Sequence, residues 1–293
     1  MLYKEYDEKT LKKLQTLELE ILQDFITLCQ EHHIDYFGVG GIAIGALRHS
    51  GFIPWDDDID IGLTRKNYEK FLKAAKDYKP EKYRIINART EPNYPLTTTR
   101  WALRGTRFKE DCYKDLDCDL GIFLDIYCFD NMADTEWKAK IQGWTAWFYN
   151  KLMILKAIPD PVLYFDGWKA DLTLAVCRLA HKILNILPVS NQFLYRKAEQ
   201  NAAKYRKIRT KRVNYFFDPT PFLSVCDRDT IEPTREIAFE GMQVAFPGKV
   251  EKYLERRYGD YMTLPPEEKR HNHPPYELDF GPYEKEADPD AGL

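Results

Sequence analysis

The chain has no run of the ~20 uncharged apolar residues that a membrane-spanning helix needs, so an integral membrane protein is not expected. It has no strong excess of either charge. A formal net charge of −3 gives no global reason to expect nucleic acid, and any attraction for anions must come from local patches. It also has no Cys-x-x-Cys pair. Its six cysteines (Cys29, Cys112, Cys118, Cys128, Cys177 and Cys226) are scattered. The first twenty residues are charged and helical in character, unlike a signal peptide, so reduced thiols and a cytoplasmic setting are expected. What is present suffices for an enzyme: 293 residues with 44% hydrophobic content can bury one large core or two modest ones.

The densest chemistry lies in Gly51-Phe52-Ile53-Pro54-Trp55-Asp56-Asp57-Asp58-Ile59-Asp60-Ile61-Gly62, which sets four carboxylates within five residues of an otherwise apolar stretch. On a strand, Asp58 and Asp60 project to one face while Ile59 and Ile61 point into a core. Side by side the carboxylates repel each other unless a divalent cation lies between them, which points to Mg²⁺ or Mn²⁺. The other reading, a solvated acidic turn, fits poorly with the flanking Ile, Trp and Pro. Asp56 shares parity with Asp58 and Asp60 and is open to two roles, metal ligand or turn residue after Pro54. Upstream, residues 34–39 read as a strand, Gly40-Gly41 as a break, and residues 42–49 as a helix start. Such glycines let a phosphate approach the backbone at a helix N-terminus.

Gly40-Gly41, followed by Arg48-His49-x-Gly51-Phe52-Ile53-Pro54-Trp55-Asp56-Asp57-Asp58-Ile59-Asp60, resembles the signature of the LicD/fukutin family of the nucleotidyltransferase superfamily. Leu11-Lys12-x-Leu14-Gln15, Gly121-Ile122-Phe123-Leu124-Asp125-Ile126-Tyr127 and Tyr258-Gly259-Asp260-Tyr261-Met262 with Pro265-Pro266 extend the resemblance, which is weakest over residues 131–205. Where LicD members often have Thr, this chain has Gly41.

The resemblance implies an α/β (α+β) fold, a nucleotidyltransferase-like mixed sheet with flanking helices and a helical insertion. The expected division is a catalytic core at 1–130, a helical region at 131–212 and a C-terminal hairpin and helix at 213–293. It implies two Mg²⁺ (or Mn²⁺) ions held by Asp58, Asp60 and Asp125. In the superfamily a third carboxylate on a neighbouring strand binds metal or takes the proton of the attacking hydroxyl, and Asp125 matches by position. The implied reaction moves a phosphocholine-type group from a CDP-linked donor to a hydroxyl of a teichoic acid, lipopolysaccharide or capsule glycan, releasing CMP. Fukutin relatives move ribitol phosphate. Some are described with zinc, but Cys112 and Cys118 have no adjacent His to complete a site.

Around this core, residues 8–32 read as an amphipathic helix, and Thr64 caps a second helix at 65–78. Residues 83–88, 96–103 and 121–128 read as strands. Arg48 and His49 are candidates for a nucleotide phosphate, or for pairing with the acidic cluster and capping the helix. Arg100 and Arg104, on one strand face, are candidates for a diphosphate, with surface salt bridging as the alternative. Trp55, Trp101 and Tyr127 are candidates for a choline cage. Asp119 and Asp130, near strand ends, are expected to be solvated, and His271 and His273 to lie exposed on a proline-bounded loop.

Trp137, Trp144, Trp147 and Phe148 lie on a helix with interspersed lysines. Core packing is the reading adopted for them, and contact with a membrane interface on the inner face of the cell membrane is the alternative. The run at 204–212 holds six basic residues, suited to anionic lipid headgroups, to a phosphorylated acceptor or to a solvated helix face. An enzyme that uses NTP to modify a small molecule or RNA would share the metal site, but no basic, aromatic strand face for nucleic acid is visible. A scaffold would tolerate loss of acidic positions, and none is lost.

Overall fold

The structure is a computed structural model and describes residues 6–118, 120–161, 163, 166–270, 272 and 274–285. Helix α1 (Glu8–Glu31) opens where Asp7 accepts a hydrogen bond from the Thr10 amide at 2.9 Å. Its stripe of Leu14, Leu17, Ile21, Leu22 and Phe25 is fully buried. Strand β1 (Phe37–Val39) runs directly into α2 (Gly40–Arg48), and after a loop come β2 (Asp60–Thr64) and α3 (Arg65–Ala74). Strands β3 (Tyr83–Ile86), β4 (Thr99–Leu103), β5 (Arg107–Lys109) and the long β6 (Phe123–Met132) follow. The polar run after Gly105 hid β5, which pairs far along the chain with the last strand.

The second half comprises α4 (Glu136–Ala157), α5 (Trp168–Ile186), α6 (Asn191–Ala202), β7 (Arg212–Asn214), β8 (Cys226–Asp227) and α7 (Arg228–Ile231). It ends with the hairpin β9 (Arg235–Phe239) and β10 (Met242–Phe246), α8 (Val250–Tyr258) and β11 (Glu277–Asp279). The central sheet has the order β1-β2-β6-β4-β3, with β7 on the far half of β6 and β8 on β7. Only the β2–β6 pairing is parallel, so the fold is a mixed α/β sheet with helices around it.

Three expectations are corrected here. Asp130 is not solvated: it is fully buried on β6, and Arg65 grips both its carboxylate oxygens at 2.8 and 2.7 Å. An ion pair of this kind is what lets a carboxylate lie inside a strand.

The tryptophans of α4 are not core residues. The helix buries its face of small and amide residues, Ala139, Gln142, Gly143, Ala146 and Asn150, because these let it approach closely and hydrogen-bond the chain beneath. Gln142 alone accepts from the Ala133 amide at 3.0 Å and donates to the carbonyls of Asn131 and Ala202 at 2.9 and 2.8 Å. Trp137, Trp144 and Phe148 are left more than half exposed.

The basic run at 204–212 is not a helix face either. Asn131 donates to the carbonyls of Tyr205 and Ile208 at 3.1 and 2.6 Å, which satisfies groups a helix would have used and turns the chain into β7.

Candidate active site

Parallel pairing of β2 with β6 brings Asp60 level with Asp125, and antiparallel pairing of β4 with β6 brings Arg100 level with Asp125. Register partners share a face, so Asp60, Asp125 and Arg100 form one row across the sheet. Ile59 and Ile61 are buried without exposure on the other side, as the alternation predicts. Arg100 is itself buried. Its Nε lies 3.5 Å from Asp125 Oδ1, its amino groups grip the Glu110 carboxylate, and its guanidinium lies 3.7 Å from the centre of the Phe123 ring. Burial pushes the Asp125 carboxyl up to about 6; Arg100 pulls against it and Glu110 adds to it. Asp60 is held well above the usual carboxylate range by burial and then by Asp58, Asp125 and Asp56. Its Oδ1 is buried with no hydrogen-bond partner among the described residues.

The loop before β2 delivers the other carboxylates. Asp56, Asp57 and Asp58 offer oxygens that all lie within 4.8 Å of one another. Asp56 is a turn residue, its amide donating to the Ile53 carbonyl at 2.8 Å, and that backbone role leaves its side chain with Asp57 and Asp58. Neighbours far away in sequence fix this loop. Gln15 on α1 donates to the Asp56 carbonyl at 3.0 Å; at the hairpin tip, Glu240 accepts from the Phe52 amide and donates its own amide to the Ser50 carbonyl, both at 3.0 Å. The glycines matter for a nearer reason than phosphate approach. A Cβ at Gly40, where φ is +65°, would lie 2.4 Å from Asp60 Oδ2, and one at Gly41 would lie 2.0 Å from Asp56 Oδ2. The start of α2 is therefore bare because carboxylates occupy the space, and its N-terminal amides offset their charge.

One participant was missed. Glu18 on α1 is 2% exposed, its Oε2 has no hydrogen-bond partner among the described residues, and burial together with Asp58, Asp57, Asp56 and Asp60 raises its carboxyl well above the usual range. Its signal was a charge inside the apolar stripe, four residues after Leu14 and three before Ile21. Asp57, left unassigned by strand parity, belongs with Asp56 and Asp58 because the loop is not yet a strand there.

Other candidates are placed elsewhere. Arg48 donates to the Tyr261 carbonyl at 2.8 Å, fixing the turn after α8, and its Nε donates to His49 Nε2 at 2.9 Å; the His49 backbone caps α2. The Trp55 ring lies against the Arg270 guanidinium at 5.4 Å. Arg104 donates to the carbonyls of Pro80 and Tyr83 at 2.8 and 3.1 Å and does not share the face of Arg100. Trp101 cannot join a cage, because it alternates away from Arg100 and stacks on Tyr83 inside the core. Asp119, His271 and His273 lie outside the described residues. Beside Asp60 opens a narrow cleft of ≈ 40 Å³ lined by Tyr127, Tyr215, Tyr253, Tyr258 and Asp218, among others.

Residues 33–154, which contain both the glycine start of α2 and the carboxylate row, match the family model described as LicD/FKTN/FKRP, nucleotidyltransferase domain. That segment is similar to the LicD/FKTN/FKRP family. The lipopolysaccharide cholinephosphotransferase LicD of Haemophilus influenzae is 29% identical to it over 281 residues, covering 90% of this chain and 96% of that one. An uncharacterized protein of Rickettsia typhi is 35% identical over 66 residues (22% of this chain), and one of Rickettsia prowazekii 38% identical over 48 residues (16%). Outside residues 33–154, the chain supplies Gln15, Glu18 and Glu240 to the same site.

Proposed function

We propose that this chain is a metal-dependent phosphotransferase that moves a phosphocholine group from a CDP-linked donor to a hydroxyl of a lipopolysaccharide-type glycan, releasing CMP. The observation that carries the reading is the row of Asp60 and Asp125 beside the trio Asp56, Asp57 and Asp58, in a chain similar along nearly its whole length to a cholinephosphotransferase. So many carboxylates beside a buried oxygen without a partner fit a cation in the Mg²⁺ or Mn²⁺ class, which prefers oxygen ligands. Asp58, Asp60, Asp125 and Asp56 are the residues that would hold it. A bound cation supplies neutralisation of the donor diphosphate and of charge building on the departing CMP phosphate.

The chain's own residues do the rest. In the transfer an acceptor oxygen forms a new bond to the phosphocholine phosphorus as the bond to CMP breaks. Asp125 either completes the ligand set of the cation or receives the acceptor's proton, and Arg100, 3.5 Å away, orients that carboxylate for either role. The cleft beside Asp60 is lined by Tyr127, Tyr215, Tyr253 and Tyr258 and by the Asp218–Arg257 pair, and the tyrosine rings are the groups there that would meet a quaternary ammonium.

The test is a panel of CDP-choline, CDP-ribitol, CDP-glycerol, CTP and ATP with Mg²⁺ or Mn²⁺, comparing wild type with Asp58→Asn. Metal-dependent binding of CDP-choline, with CMP release once acceptor is added and loss of release in the variant, is the expected result. Binding of CTP or ATP alone would replace this reading with an NTP-using nucleotidyltransferase.

A further inference from the structure

We propose that α4, α5 and the basic turn at 204–212 seat the protein on the surface of an anionic lipid bilayer. This goes beyond the transferase reading and does not depend on it. The first observation is apolar. On α5 the residues Trp168, Leu172, Val176, Leu179, Ile183 and Ile186 recur at helical spacing, and each is at least 49% exposed. At 1.5 Å per residue the stripe is about 27 Å long. Of the whole helix, only Leu184 is buried. A second stripe on α4, Trp137, Ile141, Trp144 and Phe148, is 52–61% exposed. Isolated exposed apolar residues need no explanation, but two continuous helical stripes do.

The second observation is charge. Residues 136–212 hold fifteen Lys and Arg against five Asp and Glu, in a chain whose net charge is −3. Lysines flank the aromatic rings: Lys138 lies 5.5 Å from the centre of Trp137 and Lys169 lies 5.8 Å from that of Trp168. The basic turn adjoins the start of α4, where Arg212 pairs with Glu136 at 2.8 Å and the Lys211 amide donates to Asp134 at 2.9 Å. Lys204, Arg206 and Lys207 line an open groove of ≈ 460 Å³ on that turn. Helix α5 is tied to the far end of α4, with His181 Nδ1 2.9 Å from the Leu155 carbonyl and Lys156 donating to the Leu184 carbonyl at 2.9 Å.

Tryptophan and aliphatic stripes bordered by lysine and arginine are the pattern of an element lying in the headgroup layer. Charge decides against a second copy. A symmetric dimer would press two surfaces of this same positive excess together, whereas an anionic bilayer complements it. Spanning is not the alternative, since no single described helix is long and apolar enough. Helix α5 qualifies only together with the segment Asn191–Tyr205 across a 107° bend, and Leu194, Tyr195, Ala198 and Ala202 of that segment are buried in protein.

The experiment is co-sedimentation of the full chain with vesicles of phosphatidylcholine alone and of phosphatidylcholine with 30 mol% phosphatidylglycerol, a composition set on the order of natural anionic content. Alongside run the exposed-face variants Leu172→Glu/Leu179→Glu and Trp144→Glu, and the turn variant Lys207→Glu/Arg209→Glu. Circular dichroism and thermal melting check that all remain folded. Wild type is expected to bind the anionic vesicles, and each variant to lose about tenfold or more in partition coefficient. Equal binding to both vesicle types, no binding to either, or variants that bind like wild type would overturn the proposal. So would a wild-type dimer at low micromolar concentration that Leu172→Glu/Leu179→Glu converts to monomer, because the stripe would then be covered by another copy of the chain.

Discussion

Asp60 and Asp125 are register partners on the parallel strand pair β2–β6 of the central sheet, so a half-buried and a buried carboxylate face the same side with no residue between them. In the metal-free protein that pairing costs stability. Asp60→Asn is therefore expected to raise the melting temperature in EDTA at pH 7.5 while abolishing stabilisation by added Mg²⁺. It is also expected to lower turnover by about 100-fold or more, because the lost carboxylate would no longer hold the cation that offsets charge on the transferring phosphate. Thermal melts with and without Mg²⁺ check it; a variant that melts lower in EDTA and still responds to Mg²⁺ would remove Asp60 from the cation site.

The same carboxylates set a pH dependence. A raised folded-state pKa means the native protein keeps protons the unfolded chain has released, so the associated stability is present below the ordinary carboxylate range and is lost as pH rises. For Asp125 the window runs from about 4 to about 6, and Asp60 and Glu18 extend it upward. Metal-free protein should lose on the order of 2–3 kcal/mol from Asp125 alone across that window. Mg²⁺ should restore more at pH 7.5 than at pH 5, since protonated carboxyls compete with the cation. Denaturant unfolding in EDTA at fixed ionic strength, with Asp125→Asn as control, reads the slope; a wild-type slope no steeper than that of the variant would contradict the assignment.

How legible this was depended on the range of each interaction. The helix at 8–32 follows from local periodicity and lies where expected, and the hairpin and helix expected between 213 and 293 are β9–β10 and α8. The pairing of Ile59 and Ile61 with the core followed from strand alternation. What stayed hidden is long-range. Glu18 looks like one more charge on an amphipathic helix until the aspartate loop folds onto it, and Asp130 looks solvated until Arg65 reaches it from α3. Arg100 and Arg104 share strand parity, but β4 ends at Leu103 and the turn that follows sends Arg104 to the carbonyls of Pro80 and Tyr83. The tryptophans of α4 were assigned to the core because hydrophobicity usually wins; here small residues and Gln142 claim the close contact.

Of the remote hydrogen bonds that hold the loop presenting Asp56 to Asp58, two are made by side chains and can each be removed singly. Gln15→Ala strips the donor from the Asp56 carbonyl, and Glu240→Ala strips the acceptor from the Phe52 amide. Each should cost about 1 kcal/mol of stability and raise the Mg²⁺ concentration for half-maximal activity several-fold. Glu240→Gln keeps an acceptor oxygen and should behave nearly as wild type. If Glu240→Gln is as impaired as Glu240→Ala, the charge of Glu240 rather than its acceptor role is what matters.

Asp130 offers a contrast to Asp60, being fully buried and paired with Arg65 where Asp60 is only half-buried. Removing its charge leaves Arg65 with Glu199 at 2.9 Å and Glu69 at 3.2 Å, inside the sheet and helix junction. Asp130→Asn is expected to destabilise by about 3 kcal/mol, the scale of a broken buried pair, without changing the Mg²⁺ response of the folded fraction. A chemical denaturation curve and a Mg²⁺ titration separate the two effects, and loss of the Mg²⁺ response in well-folded protein would extend the cation site to β6's far half.

Under the proposed phosphocholine transfer, the cleft beside Asp60 is where choline would be told from an uncharged polyol. Tyr258 is its most accessible wall, 42% exposed, and its hydroxyl receives a hydrogen bond from Arg257 Nε at 3.0 Å. A tyrosine face is worth about 0.5–2 kcal/mol to a quaternary ammonium, which corresponds to roughly a 2- to 30-fold change in affinity. Tyr258→Leu should therefore raise the KM for CDP-choline within that range and leave CDP-glycerol nearly unchanged. Tyr258→Phe, which keeps the ring and loses the hydroxyl, should retain the preference. Steady-state KM values for both donors across the three proteins decide it. A parallel rise for both donors in Tyr258→Leu would mean that the ring shapes the cleft for any CDP-linked group, and selectivity for choline would have to come from Asp218 or from the acceptor side.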